Sequence, residues 1–230
     1  MILAQEKESR SANSRRIPKN ITYHVKNEKS EITRNIDDII VVLVGDTYNP
    51  SNDTFLLAKA VKNYGVVIDL GSGSGYITTL LAKASNYVIA IDISPFAVLS
   101  TRETIIKNNI SELVDIIQCD GLKCLRPCRC FRAIFINPPY LPVSEFESWH
   151  GIAWSGGKEG IEVFLKMIDG IEALLSKNGE MIFVHSSLSN IDKLLNTLNS
   201  KGFCTEELDR ECFYWECILL FKSVVCNDGN

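Results

Sequence analysis

The sequence predicts an α/β fold, a mostly parallel sheet with helices on both faces, and three observations carry that expectation. From residue 36 onward, short β-branched apolar runs alternate with longer amphipathic stretches. Two of the runs bring an acidic residue to their C-terminal end, Asp69 and Asp92, and the first of them leads into the glycine loop GSGSG. A further run stops at Phe135-Ile136-Asn137-Pro138-Pro139-Tyr140, where a carboxamide, two prolines and a phenol stand in place of more strand.

In chain order, Ile39–Val44 is a strand-like run, and Ser51-Asn52-Asp53 supplies the start of an amphipathic helix reaching residue 62. Val66–Leu70 is a strand, followed by GSGSG and a helix to about residue 84. A strand over 87–91 ends at Asp92, and Ser94-Pro95 caps and opens a helix to about residue 108, since proline needs no N–H partner in a first turn. Strands follow over Val114–Gln118, 133–136 and 179–185, the last between helices near 158–177 and 189–201. Strand-like segments near 204–208 and 213–221 close the chain.

With 230 residues, 46% of them hydrophobic, the chain can build one ordinary buried core, and disordered or fibrous classes are excluded. No apolar run approaches the roughly 20 residues that span a bilayer. The start MILAQEKESR meets charge too early for a secretory leader, so a cytoplasmic protein is expected. Its eight cysteines are then expected to be reduced thiols, metal ligands or core residues.

The net charge of −4 conceals an asymmetry: residues 1–35 hold eight Lys/Arg and four Asp/Glu, leaving 16 and 24 in the remainder, a body of −8. An acidic body argues against a domain that grips nucleic acid through phosphates. The expected organisation is a basic, flexible extension over 1–35 and one domain over 36–230. The alternative for the extension is an arm that faces nucleic acid or the ribosome.

In VVIDLGSGSGY, Gly71, Gly73 and Gly75 let the backbone turn tightly and approach a ligand, with Asp69 delivered by the preceding strand. No Gly-Lys-Ser/Thr follows, which excludes a Walker-type phosphate loop, and the spacing is not the GxGxxG of a dinucleotide fold. An acidic residue two positions before the first glycine resembles the arrangement by which methyltransferases orient the amino-acid part of S-adenosylmethionine, and that resemblance favours this cofactor over NAD. Asp92, ending the next strand, is placed to accept two ribose hydroxyls, with Ile93 beside it. Asp120 and Gly121 in QCDGL end the third strand of the sheet, where a side chain could meet the adenine amine.

Asn137-Pro138-Pro139-Tyr140 would lie at the same sheet edge. A planar NH2 is a poor nucleophile because its lone pair is delocalised. The Asn137 side-chain oxygen and the Pro138 carbonyl could accept both of its hydrogens and favour a pyramidal, partly positive transition state. Pro139 fixes φ near −65° and so presets the carbonyl direction, and Tyr140 can stack on the flat group.

These residues resemble the Rossmann-like class I S-adenosylmethionine-dependent methyltransferases whose NPPY motif modifies adenine or the glutamine amide. Asp53-Thr54-Phe55-Leu56-Leu57 and Trp154-Ser155-Gly156-Gly157-Lys158-Glu159-Gly160 are similar to the HemK-like branch, in its short archaeal and eukaryotic form. The resemblance implies a seven-stranded mixed sheet and methylation of the Gly-Gly-Gln glutamine of class I release factors. It implies cofactor contacts from Asp69, Gly71, Ser72, Gly73, Gly75, Asp92, Ile93, Asp120, Gly121 and Asn137. It also implies catalytic roles for Asn137, Pro138 and Tyr140, and an acceptor pocket of Asp53, Thr54, Asn137, Pro138, Pro139 and Tyr140. Tyr48-Asn49-Pro50-Ser51-Asn52-Asp53 departs from the family's Tyr-Glu-Pro-Ala-Glu-Asp, with Asn at both Glu positions. The rival readings are an adenine methyltransferase on RNA or DNA, and a binding module that has kept the fold.

Cys119, Cys124, Cys128 and Cys130 lack paired CxxC spacing, and no metal site is expected. Trp149 and Trp154 are either a lip on the substrate site or core. The run Leu113-Val114-Asp115-Ile116-Ile117 would be a bare sheet edge. Short members of the family pair that edge with a small zinc-binding activator protein, and such a partner is expected here.

Overall fold

The computed structural model describes residues 31–226. A hairpin of β1 (Glu31–Ile36) and β2 (Ile39–Val44) precedes the main sheet and forms a two-stranded sheet of its own. Its turn residues Asp37 and Asp38 both have positive φ, 48° and 63°, the geometry of a tight two-residue hairpin. Residues 31–35, expected within the extension, are therefore strand, and residues 1–30 lie outside the described part. The charged, exposed sequence EITRNI has no apolar alternation to announce it; pairing with β2 supplies the order.

The main sheet contains β3 (Val66–Leu70), β4 (Tyr87–Asp92), β5 (Val114–Gln118), β6 (Phe131–Ile136), β7 (Leu175–Ser186), β8 (Phe203–Phe213) and β9 (Glu216–Val225). Their order is β5-β4-β3-β6-β7-β9-β8. Strands β3 to β7 run parallel, and β9 is antiparallel to both β7 and β8. The chain passes from β3 to β4 and β5 on one side, then returns to β6 and β7 on the other. That reversal opens a crevice at the carboxyl ends of β3 and β6.

Both faces of the sheet are buried and alternate residues serve them. Val67, Ala133, Phe135 and Ile182 pack under α1 (Asn52–Ala58), α2 (Tyr76–Lys83) and α3 (Pro95–Lys107), whereas Ile68, Leu70, Ile134 and Phe183 pack under α5 (Glu162–Met167) and α6 (Ile191–Ser200). A short α4 (Trp149–Trp154) follows the NPPY segment and was not foreseen.

Helix α3 carries a polar stripe on its inner face. Ser100 Oγ accepts from the Val44 N–H at 2.9 Å, Thr104 Oγ1 from Val42 at 2.9 Å, and Asn108 Oδ1 from Ile40 at 3.1 Å. Four helix residues rise about 6 Å and two strand residues about 6.6 Å, so the side chains keep step with alternate β2 amides. The stripe gives the hairpin's inner edge its hydrogen bonds.

The helix expected over 158–177 is cut short. Gly170 takes φ 80°, a 3₁₀ turn covers Ile171–Ala173, and β7 begins at Leu175. The expected state of the cysteines is also corrected. Cys128–Cys130, Cys204–Cys226 and Cys212–Cys217 are bonded, while Cys119 and Cys124 are free. Cys128 and Cys130 lie in coil, and Arg129 at φ 49° turns the chain so that their sulfurs meet. Cys212–Cys217 cross-links β8 and β9 at direct register partners, and Cys204–Cys226 joins the start of β8 to the residue just after β9. Among the described residues no cluster of three or more His, Cys, Asp or Glu side chains could hold a metal, and no helix is long and apolar enough to cross a membrane.

Gly75 shows how tightly the loop is packed. At φ 79° its Cβ would stand 2.9 Å from the Thr101 Cα, a backbone atom of α3 that cannot swing away. Gly75→Ala is expected to cost about 2 kcal/mol or more in urea unfolding, with the m-value unchanged.

Candidate active site

A cleft of about 550 Å³ opens at the crevice between β3 and β6. The glycine loop forms its floor. Gly71 and Ser72 donate backbone N–H to the Ile91 carbonyl at 2.7 and 3.1 Å, which draws the loop across to β4. Gly71 takes φ 85°, a backbone conformation that L side chains rarely adopt, and its backbone lies beside the Asn137 carbonyl.

Asp69 and Asp92 stand on either side of that loop. Asp69 is buried and accepts from Thr78 Oγ1 at 2.5 Å. Burial pushes its carboxyl up to about 7, the Asp92 charge adds to the rise, and the Thr78 hydrogen bond opposes it. Asp92 takes the Gly73 N–H on Oδ2 at 2.9 Å and the Ser94 N–H on Oδ1 at 2.8 Å. Burial raises its pKa too, against the pull of those amides. Each oxygen still has a lone pair for a ligand.

Asp120 lines the cleft with Cys119 and Gly121, but its carboxylate has protein partners. Lys123 Nζ lies 2.5 Å away and Lys166 Nζ 3.4 Å. Partial burial would raise its pKa, yet the two ammonium groups outweigh that and the net shift is downward. Asp120 thus ties the loop after β5 to α5 as well as facing the cleft.

The acceptor side is built around Asp53, which is 4% exposed. Its carboxylate accepts from Tyr140 OH at 2.9 Å, from Tyr48 OH at 2.9 and 3.0 Å, and from the Thr54 N–H at 2.6 Å. Thr54 Oγ1 lies 3.1 Å from Asp53 Oδ1, and Asn137 Nδ2 lies 3.2 Å from Thr54 Oγ1. A carboxylate only accepts, so the Thr54 hydroxyl spends its single proton on Asp53 and offers Asn137 a lone pair. That sequence of donations fixes the amide of Asn137 with its NH2 toward Thr54 and its Oδ1 left to accept from a ligand. Burial, then the Asp53 charge, raise both the Tyr140 and Tyr48 hydroxyls well above the usual phenol range, so both stay protonated as donors.

The segment after NPPY is stitched to the WSGGKEG stretch. Leu141 N–H donates to the Trp154 carbonyl at 3.1 Å, Gly156 N–H to Leu141 at 2.8 Å, and Gly157 N–H to Val143 at 3.1 Å. A Cβ on Gly160 would collide with the Tyr140 carbonyl, which accepts from Ser189 Oγ at 2.6 Å. The two tryptophans divide the roles open to them: Trp149 is buried, and Trp154 stands at the rim with its ring edge-on to Tyr48 at 5.1 Å.

All the sequence-derived site positions from Asp53 to Tyr140 line or adjoin this one cleft. Tyr48 and Thr78 were not foreseen as members, whereas Trp154 takes the lip position that the sequence left open beside core packing. Tyr48 sits five residues before Asp53 and could have been suspected as its partner, while nothing local in Thr78 marks its bond to Asp69. His185, which is fully buried on β7, packs 6.0 Å from the Tyr140 ring and is held neutral by burial, its pKa lowered to about 4.

Comparison with known proteins places the chain in a family. Residues 51–207 match the methyltransferase small domain. A Methanocaldococcus jannaschii protein whose name proposes N5-glutamine methyl transfer is 33% identical over 178 residues, 74% of this chain and 88% of that one. The Schizosaccharomyces pombe eRF1 methyltransferase catalytic subunit mtq2 is 25% identical, over 70% of this chain and 82% of its own. In fold, a chain of the E. cuniculi Mtq2–Trm112 complex superposes with a TM-score of 0.61 at 23% identity, covering 78% of this chain and 98% of that one. The chain belongs to the methyltransferase small domain family.

Proposed function

We propose that this protein transfers a methyl group from S-adenosylmethionine to the side-chain amide nitrogen of the glutamine in the Gly-Gly-Gln motif of a class I peptide chain release factor. The observation that carries this reading is the Asp53–Thr54–Asn137 chain of hydrogen bonds, which presents a fixed carbonyl oxygen beside Pro138 at the mouth of a glycine-floored cleft. A relative named for N5-glutamine methyl transfer and another named as an eRF1 methyltransferase subunit support it.

The residues present fit the cofactor. Asp92 has lone pairs for ribose hydroxyls, Asp69 can become an anion for an ammonium, and the bare Gly71 and Gly73 admit a ligand against the backbone. When bound, S-adenosylmethionine supplies an electrophilic methyl on a sulfonium centre. Asn137 Oδ1 and the Pro138 carbonyl hold the two hydrogens of the acceptor amide, so that its lone pair is drawn out of conjugation. Tyr140, fixed at its hydroxyl by Asp53, provides a flat wall. Asp69 and Asp120 hold the cofactor's polar ends. No covalent enzyme intermediate is needed, and the developing ammonium-like proton is acidic enough to pass to water.

The buried Asp69 carboxyl gives the affinity a pH dependence of defined sign. Its pKa of about 7 leaves it protonated below that pH, and pairing with an ammonium requires the anion. Cofactor affinity should therefore fall as pH drops through about 7, by about tenfold between pH 8 and pH 6. Titration calorimetry at the two pH values checks this, and Asp69→Asn should flatten the dependence.

Strand β5 is one edge of the sheet and β8 the other; on β5 Ile116 and Ile117 are half-buried, with Leu113 exposed just before it. We assign this edge to a small zinc-binding activator protein that adds a strand there, and place the pair in the cytoplasm. The test of the reading is methyl transfer from radiolabelled S-adenosylmethionine, with and without such an activator, to a purified release factor carrying Gly-Gly-Gln or Gly-Gly-Ala. Label on the Gln form alone is expected. Label on total RNA with none on protein would assign the cradle to the exocyclic amine of adenine instead.

A further inference from the structure

The β8–β9 hairpin ends in Phe213-Tyr214-Trp215, where Tyr214 is 100% exposed and Trp215 80%, their ring centroids 5.8 Å apart. Adjacent bare rings of this size are costly to leave in water and are the side chains that most often anchor protein interfaces. The tip is also braced. Cys212–Cys217 closes it and Cys204–Cys226 closes the other end of the hairpin. Lys59, just after α1, reaches Asp209 at 3.0 Å and Glu211 at 2.7 Å. The loss of side-chain and loop freedom that usually opposes binding is thereby reduced.

The base of the tip adjoins the acceptor cradle. Glu216 Oε1 accepts from Ser186 Oγ at 2.6 Å and Cys217 N–H donates to Ser187 Oγ at 2.8 Å, which fastens the tip to the end of β7, beside the strand that delivers Asn137. The Glu216 charge is felt at the hydroxyls of both Tyr48 and Tyr140. The rings therefore stand at the carboxyl edge of the sheet, toward the β8 side and away from the β5 edge.

We propose that Tyr214 and Trp215 form a docking surface for the folded body of the protein that carries the acceptor glutamine, seated on an apolar patch with a basic rim. The proposal rests on the acceptor reading above. Between residues 206 and 216 the hairpin carries Glu206, Glu207, Asp209, Glu211 and Glu216; Lys222, Arg210 and Lys59 pair with the first four, which still leaves a net acidic flank that favours basic protein surface over phosphate. One glutamine side chain offers little to distinguish its protein from others, so contacts outside the cleft must supply that selectivity.

The test compares the wild type with Tyr214→Ala/Trp215→Ala, each together with the activator protein, using full-length release factor as methyl acceptor, with S-adenosylmethionine affinity as the measure of an intact fold. The expected result is a KM for the release factor raised about tenfold or more, with kcat and cofactor affinity unchanged. Tyr214→Phe/Trp215→Phe should restore most of the loss. An unchanged KM, with active wild type, overturns the docking surface and leaves the acceptor reading standing. If the wild type does not methylate the release factor at all, the acceptor reading falls and the proposal with it. Salt-sensitive binding of an RNA oligonucleotide that the Ala variant loses would assign the rings to base stacking and overturn the protein occupant.

Discussion

Asn137→Ala is expected to lower kcat/KM for the protein substrate by about 10²- to 10³-fold, the effect of removing one preorganised group aimed at developing charge. The loss should fall on kcat, because the acceptor oxygen matters most when the amide nitrogen pyramidalises. Cofactor affinity should change little, since the Asn137 backbone beside Gly71 is retained. Asn137→Asp is the sharper variant. A carboxylate cannot donate to Thr54, so that hydroxyl would have to choose between two acids, and activity should fall as far as with Ala. Single-turnover methyl transfer at saturating substrate separates this from a binding defect.

Asp53→Ala should have the second largest effect, although its carboxylate is buried behind the cradle. Removal leaves the hydroxyls of Tyr48 and Tyr140 without their acceptor and frees Thr54 to turn its proton toward Asn137. The amide of Asn137 then loses its fixed sense. We expect kcat to fall about 10-fold to 100-fold, the scale at which misorientation of a reacting group is felt, together with about 2 to 4 kcal/mol of stability from two unsatisfied buried hydroxyls. Thr54→Val separates the contributions: it keeps both tyrosines anchored, so stability should change by about 1 kcal/mol while kcat still falls. Equal kcat loss with no separation from stability would mean that Asp53 acts only by holding the fold.

Much of this site was legible because its parts carry local signatures. Asp69 and Asp92 at the C-terminal ends of their strands, the glycines between them and Asn137-Pro138-Pro139-Tyr140 each announce a sheet edge, and switch-point topology puts such edges together. The relation among Asp53, Thr54 and Asn137 was hidden, because an 83-residue separation has no sequence pattern. Asp53, assigned to the acceptor pocket, lines the cleft and uses its carboxylate to hold Tyr48, Thr54 and Tyr140. Strand β1 escaped because its order comes from β2, and the helix over 158–177 was overextended because an apolar run does not reveal where Gly170 turns left-handed. The cysteines were misjudged for a similar reason. Cys212 and Cys217 become neighbours only through the register of β8 on β9, and Cys128 and Cys130 only through the positive φ of Arg129.

The central claim is that the cradle holds a glutamine amide, and the most direct measurement locates the methyl group. Release factor incubated with the enzyme, its activator and S-adenosylmethionine is digested and sequenced by tandem mass spectrometry. One methyl on the side-chain amide of the Gly-Gly-Gln glutamine, absent with Asn137→Ala, is the predicted result. A methyl on any other residue, or none on the protein and one on the N6 of adenine in RNA, would contradict it.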